Sequence, residues 1–473
     1  MNTKTTLLLV IVLIVVGTAY YYVARRAAEP PVVKAPAGQV VQIASGDMQK
    51  ITITPADGKP VVLERAGADW KITAPVSAKA EKWTVDDLAT SLAGLNSRGD
   101  TGLENKSAIG LDKPTLVEIT GKDGKSVKLA IGSRSAVGDV TYVLKDDATS
   151  AQIVAADVLS KLEDPVKKYR DPKLSDLLST DVKQFSVRRT DGDYRFEKRG
   201  DEWQMIDPEK MPVEATEMSD MIGAVAGLRA GEIVAEDAKD AAKYGLSQPR
   251  LVAFATTVAP TTQPSTSQPA GVQVRVGGYD DIRKQNVYVM VGDTGPIAKV
   301  GASIIQQLSK KPLDLRNKKL LDIDPATVNR LTLATQTPAT TQPTTREASS
   351  STIAIVRNAV AAPPTPATTQ ASTQPVAPTW ILEGTKNAAD EAKVVELLKA
   401  LQPLRVTKYL AAMPAGQLGA THALSLRTVA AGGVEKTYDL KITERGDTDP
   451  PIGQSNGLTF ELDRDILTKL KLQ

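Results

Sequence analysis

Apolar and polar residues alternate with period two along Met48–Thr54. That is the signature of a strand with one buried face. An Asp57-Gly58 turn leads to a second alternating run at residues 61–65, and a turn at Gly67 leads to a third at 70–72, which opens on Trp70. Short alternating runs separated by glycine turns predict an antiparallel meander. The period then changes. Val85, Leu88, Leu92 and Leu95 recur at intervals of three and four, predicting a helix with one apolar face. Ile109-Gly110-Leu111-Asp112-Lys113-Pro114 follows, then a hairpin of 116–120 and 127–131 about Asp123-Gly124. A strand at 141–144 and a short helix at 158–162 close the pattern.

The same order returns twice, so the chain reads as three tandem repeats. In the second copy, strands at 185–189 and 194–198 flank Asp191-Gly192, and Trp203 follows the next turn. Met218, Met221, Val225 and Leu228 stand where Val85 to Leu95 stand, at the same interval from the tryptophan. Gly245-Leu246-Ser247-Gln248-Pro249 answers Gly110 to Pro114. Strand 287–290 and helix 304–308 complete the copy. The third carries Trp380, a helix with Val394, Leu397, Leu398 and Leu401, then Leu418-Gly419 and strands at 423–427, 438–442 and 458–462, ending at 466–470. No proline follows Gly419, so this copy departs from the pattern there. The spacers also repeat: 169–174 resembles 315–321. The predicted fold is α+β, each repeat a mainly antiparallel sheet with a helix packed on it.

Three segments rich in Thr, Gln, Pro, Ser and Ala interrupt the pattern at hairpin tips: 260–271, 335–350 and 359–378. They carry little to bury and are expected to be disordered. Expected boundaries are an N-terminal anchor at 1–26, a linker at 27–47, and repeats at 48–164, 165–311 and 312–473.

Residues 6–23 form an uncharged apolar run ending in Tyr20 to Tyr22, followed by Arg25 and Arg26. Its length is about that of a bilayer-spanning helix, roughly 17–25 residues, with tyrosines where an interfacial belt would sit. A cleaved signal peptide is the competing reading, through Gly17-Thr18-Ala19. The expectation is an uncleaved single-pass anchor.

Composition narrows the chemistry. With 58 basic and 55 acidic residues the net charge is +3, with signs interspersed, which argues against a nucleic-acid surface. There is no cysteine, which excludes disulfides, thiolate metal sites and cysteine nucleophiles. The one histidine, His422, has no carboxylate or nucleophile near it in sequence. Arg-Gly-Asp occurs at 98–100, 199–201 and 445–447, where turn chemistry accounts for Gly and Asp. The acidic pairs Asp86-Asp87, Asp146-Asp147 and Asp280-Asp281 are read as solvated surface, because adjacent residues point apart. No phosphate loop, dinucleotide fingerprint, zinc-protease helix or calcium loop is present. The expectation is therefore no catalytic, cofactor or metal residues. Trp70, Trp203, Trp380, Gly110, Pro114, Gly245 and Pro249 are the structural anchors of the repeat, the tryptophans read as core residues without shared polar companions. Trp83, with no counterpart, is expected to be exposed.

The N-terminal apolar segment, the tryptophan meander, the amphipathic helix and the Gly-Leu-x-x-Pro element at 110–114 and 245–249 together resemble the bacterial "domain of unknown function 4340" family. The likeness spans the chain after the anchor and is weakest in the third copy. It implies an envelope accessory protein in the cytoplasmic (inner) membrane, repeats on the extracytoplasmic or periplasmic side. It further implies association with gliding-type or auxiliary ABC transport systems, and offers no catalytic residues. Two functions are weighed: a non-enzymatic scaffold or accessory subunit of an ABC-type transporter, and an extracytoplasmic module binding or sensing a glycan or peptide. An enzyme ranks third.

Overall fold

The computed structural model describes residues 16–18, 38–103, 105–258, 271–339, 348–358, 379–385, 387–415, 418–429, 433–446 and 448–472. The expected anchor at 6–23 lies outside these apart from 16–18, and the insertions at 260–271 and 359–378 lie outside them apart from Gly271. Among the described residues no helix is long and apolar enough to cross a membrane. The chain divides into two compact units. One runs to Leu174 and includes Arg229–Glu236; the other comprises Ser175–Leu228 and the residues from Asp237 on.

In the first unit nine strands form one antiparallel sheet. Its order is Ala78–Lys79, Asp69–Ala74, Val61–Ala66, Met48–Thr54, Thr115–Gly121, Ser126–Arg134, Val140–Lys145, Ala151–Ala155 and Asp100–Thr101. The meander and the later hairpin thus share a sheet, sewn together where Ile51 faces Ile119 and Ile53 faces Val117. Helix Lys82–Ala93 is inserted between the two halves. It buries Val85, Leu88 and Leu92 in one core with Ile51, Ile53, Leu63, Trp70 and Ile72, all at most 1% exposed. At about 1.5–3 kcal/mol for each large apolar side chain, this burial is what closes the repeat.

The second unit holds two further copies. One runs from Met211–Pro212 through Glu202–Asp207, Gly192–Arg199, Gln184–Arg189, Leu251–Thr256, Val272–Tyr279 and Asn286–Val291 to Ile297–Gly301, with helix Ala215–Ala226. The other is an eight-stranded sheet: Trp380–Leu382, Ser349–Arg357, Val328–Thr337, Leu418–Val429, Glu435–Arg445, Ile452–Ser455, Leu458–Glu461 and Lys408–Leu410, with helix Glu391–Ala400. The α+β, sheet-rich, repeated architecture is as expected. Strands Ala151–Ala155 and Ile297–Gly301 exceed the expectation. Both bury neighbouring residues in succession, which erases the period-two signal.

Several expected limits shift. The linker at 27–47 is too long: Val40 and Val41 are 1% and 0% exposed in the first core, and a short 3-10 turn at Ser45–Asp47 leads into the first strand. Counterpart turns at Ser179–Asp181 and Pro325–Thr327 precede buried Val182 and Val328 as this one precedes buried Met48. The first repeat continues past 164, because Tyr169 of helix Pro165–Tyr169 lies in its core. The 335–350 insertion is narrower than expected. Thr335, Gln336 and Thr337 pair with Ser351, Ser350 and Ser349, since a ladder needs backbone partners rather than apolar side chains. In the third repeat Leu418-Gly419 opens the strand Leu418–Val429 instead of forming a Gly-Leu-x-x-Pro loop.

Candidate functional site

Each of the first two repeats ends in two short helices and a polar tail, and the tail is used the same way twice. In the first unit Asp171 N donates to Lys79 O (2.9 Å) and Glu81 N to Tyr169 O (2.8 Å), while Ala80 bridges to Arg170. On its other side the tail accepts a hydrogen bond from Ala230 N at Pro172 O (2.7 Å), and Lys173 faces Arg229. In the second unit Asn317 N donates to Pro212 O (3.0 Å), Glu214 N to Leu315 O (2.8 Å), and Val213 bridges to Arg316. There Val406 N donates to Lys318 O (2.7 Å) and Lys319 faces Arg405. The spacer likeness between 169–174 and 315–321 is therefore a junction. Gly38 and Gln39 take the same place against Ser97 and Asn96 at the start of the first unit.

A glutamate precedes the helix at both junctions. Glu81 caps its helix, accepting from Thr84 N (2.9 Å) and Thr84 Oγ1 (2.7 Å). These hydrogen bonds, helped by the charge of Arg229, outweigh desolvation and hold its carboxyl below the usual range. Glu214 is buried and turns to the junction instead, accepting from Lys318 N (2.7 Å) and Arg405 Nη2 (2.8 Å).

Beside the first unit's junction opens a cavity of about 490 Å³. Pro55, Val61, Pro75, Pro165, Val166 and Ile233 supply apolar wall, and Arg170, bonded to Glu236 at 2.6 Å, supplies a charged one. Arg170 is 12% exposed, so its guanidinium is largely desolvated. Lys59, Asp164, Lys167, Glu232 and Glu236 also line it, so its wall is mixed apolar and charged, and its size falls in the usual range of ligand sites, roughly 300–1,000 Å³. This cavity is the candidate site. A second hollow, about 610 Å³, lies on the third sheet above Ala334, Ala423, Ser425 and Lys441.

The anchors hold their places. Trp70, Trp203 and Trp380 are 1%, 8% and 2% exposed. They do share a companion, contrary to the sequence expectation. A basic residue lies directly across the hairpin from each: Arg65, Lys198 and Arg357. Arg65 lies over the Trp70 ring at 4.3 Å and Arg357 over Trp380 at 4.7 Å. Each arginine also donates Nε to a carbonyl beside the core, Met48 O (3.1 Å) and Val328 O (3.0 Å). The signal was present as a basic residue five positions before Trp70 and Trp203; the insertion at 359–378 hid it in the third copy. Gly110 and Gly245 have φ of +68° and +72°. Partner glycines went unread: a Cβ on Gly132 or Gly277 would lie 2.1 Å from Ile109 O or 2.3 Å from Tyr244 O. Pro114 and Pro249 stand just before strands Thr115–Gly121 and Leu251–Thr256. Trp83 is 74% exposed.

Two further readings need correction. Asp86 is not simply solvated: it accepts from Trp70 Nε1 (2.8 Å) and Lys82 Nζ (2.9 Å). Burial pushes its carboxyl up, but those hydrogen bonds and the charges of Lys82 and Arg65 leave it below its ordinary value. His422, with no carboxylate near it in sequence, has one in space. Thr335 Oγ1 lies 3.0 Å from Nδ1 and Glu444 Oε1 3.1 Å from Nε2. Strand pairing opposes Thr335 to His422 and brings in the third strand, which no local pattern could reveal. A hydroxyl, imidazole and carboxylate in line resemble a triad, but catalysis also needs a bound substrate and oxyanion donors. Neither hollow described above includes these three residues. They tie three long strands together. Arg199-Gly200-Asp201 forms a hairpin turn with Gly200 at φ +61°. Among the described residues no three His, Asp or Glu side chains are grouped to hold a metal ion.

The fold and junctions define a class: a protein of tandem antiparallel α+β repeats joined through a recurring polar tail. The family described as "Domain of unknown function (DUF4340)" matches residues 70–249 and again 203–424. The chain belongs to that family. The matches overlap in 203–249, which serves as the end of one and the beginning of the other, as an internal repeat requires. No curated protein and no solved structure matches the chain.

Proposed function

We propose that this chain is a non-enzymatic envelope protein, anchored by residues 6–23 in the cytoplasmic membrane with its repeats outside the cytoplasm. There it acts as a scaffold or accessory subunit of an ABC-type, gliding-like transport system. The observation that carries the reading is the recurring junction. Glu214, a buried carboxylate, is used to join the second repeat to the third, accepting from Lys318 N and Arg405. Such a design presents extended surface to partners. The test is affinity capture of the full chain from detergent-solubilised membranes: recovery of ABC-type transporter subunits supports the proposal, and their absence overturns it. A second reading, an extracytoplasmic module that binds a glycan or peptide, is favoured by the first unit's cavity.

A further inference from the structure

Each tail works in two directions. At the first unit's junction, residues 169–171 close the edge at 79–81, while Pro172 and Lys173 pair with Ala230 and Arg229, in the loop after the next helix. At the second unit's junction, residues 315–317 close the edge at 212–214, while Lys318 and Lys319 pair with Val406 and Arg405. At the start of the first unit, Gly38 O accepts from Ser97 N at 2.9 Å and Gln39 faces Asn96. That register makes Gly38 the counterpart of Pro172 and Lys318. The residues before it then fall into step. Pro31-Val32-Val33-Lys34 answers Pro165-Val166-Lys167-Lys168, and Ala35, Pro36 and Ala37 answer Tyr169, Arg170 and Asp171.

The third repeat has the matching edge. Ala389 N donates to Trp380 O at 3.0 Å, as Ala80 N does to Trp70 O and Val213 N to Trp203 O. Ala388, Ala389 and Asp390 therefore stand where residues 79–81 and 212–214 stand. Beneath their tails Ala80, Val213 and Glu214 are buried. Ala388 and Asp390 are exposed, and Ala389 is only half-buried. At the covered edges Lys79 O and Pro212 O accept from the tail, and Glu81 N and Glu214 N donate to it. Among the described residues Ala388 O and Asp390 N have no backbone partner. Leu470 and Leu472, just after helix Asp465–Lys469, lie in the third core rather than on this edge.

We propose that this edge takes residues 35–37 of a second copy of the chain, so that copies join head to tail. Ala37 N would donate to Ala388 O, and Asp390 N to Ala35 O. Adding an extended segment to an open sheet edge is a common mode of association. The proline in the segment fits the register. At both covered edges the middle residue of the tail donates its N–H within the tail, Arg170 N to Val166 O (3.1 Å) and Arg316 N to Pro312 O (3.0 Å). The edge thus asks for no donor at the position where Pro36 has none. A second copy is the occupant because every tail serves the repeat behind it as well as the repeat ahead. With Gly38 and Gln39 on the first repeat, residues 35–37 call for the edge of a preceding one. Asn96 of the second copy would stand to Asp390 as Arg405 stands to Glu214, an amide donor facing a carboxylate. Such a contact joins two different surfaces, so it builds rows or rings rather than a two-fold pair. The inference goes beyond the transporter reading and does not depend on it.

The test uses the full chain in detergent. The sequence has no cysteine, so introduced thiols report contact cleanly. Ala37→Cys and Ala388→Cys, prepared separately, mixed and oxidised, should give a disulfide-linked dimer that neither gives alone, since paired strands bring Cα atoms within the roughly 4.4–6.8 Å a disulfide spans. The double variant should give a ladder of multimers. By light scattering the mass of the unsubstituted chain should rise with concentration. Ala37→Pro removes the donor to Ala388 O and should raise the concentration of half-association about tenfold, the effect of one lost hydrogen bond. Pro36→Ala should leave it unchanged. Circular dichroism checks that both variants stay folded. The proposal is overturned by the absence of the mixed dimer, by equal linkage in Ala37→Cys alone, or by linkage of the double variant within single chains. Undiminished association of folded Ala37→Pro, or equal weakening by Pro36→Ala, overturns it as well. No readout involves a transporter, so failure here is separable from failure of the capture experiment.

Discussion

The indole of Trp70 sits in the core with Leu88 and Leu92, and its one polar atom reaches Asp86 at the rim. Trp70→Ala should lower the first unit's stability by about 3–5 kcal/mol, as for other large core truncations, read by denaturant unfolding. Trp203→Ala should do the same in the second unit. A loss below about 1 kcal/mol would place the tryptophans outside the cores. Glycines divide by what a Cβ would meet. Gly132→Ala should cost about 3 kcal/mol or abolish folding, because the new atom would strike Ile109 O. Gly67→Ala should cost only about 1 kcal/mol, since φ is +67° but nothing lies within 4 Å. Equal costs would refute the close-packing account. Asp86 has a carboxyl held below its unfolded value, so its stabilisation is complete above the unfolded pKa and is lost as pH falls through the lower folded one. The first unit should therefore weaken below about pH 4. Asp86→Asn should flatten that acid limb in denaturation series run at falling pH; an unchanged limb would remove Asp86 from the account.

At the scale of elements, the tails do what the strands alone cannot. They give backbone partners to edges at 79–80 and 212–213 that would otherwise stay open, which is a hazard in any sheet. Glu214 is the polar centre of the second unit's tail. Glu214→Ala leaves Lys318 N without its acceptor and Arg405 without its carboxylate, and should cost about 2 kcal/mol. Glu214→Gln keeps one acceptor and should recover part of that. Denaturant midpoints of the second unit decide it; a neutral alanine variant would show that the junction is held by packing alone.

For the whole chain, sequence order and compactness do not coincide. Arg229–Glu236 comes from the middle of the second repeat yet belongs with the first unit, where Arg170 bonds Glu236 and Pro172 O accepts from Ala230. The first core itself is complete without that segment. A fragment of residues 38–174 should therefore fold with its sheet intact and unfold cooperatively, followed by circular dichroism. Gradual, non-cooperative melting would show that the repeat depends on Arg229–Glu236.

Period-two runs, glycine turns and heptad-like spacing are local features, so the strands of the meander, the three helices and the tryptophan addresses could be read directly from residue order. The repeat itself was legible for the same reason: equal spacing puts Trp70 and Trp203 at equal addresses whatever lies between. Glycine pairs such as Gly110 with Gly132 escaped, because the second member looks like any strand glycine until Ile109 O is brought against it. The company of His422, the two-sided use of the tails and the cavity beside Ile233 depend on pairings between residues tens of positions apart. Chain order carries no record of such distances. They exist only once the strands have chosen their neighbours, and there the tertiary structure decided that the edges at 79–80 and 212–213 are covered and the one at 388–390 left exposed.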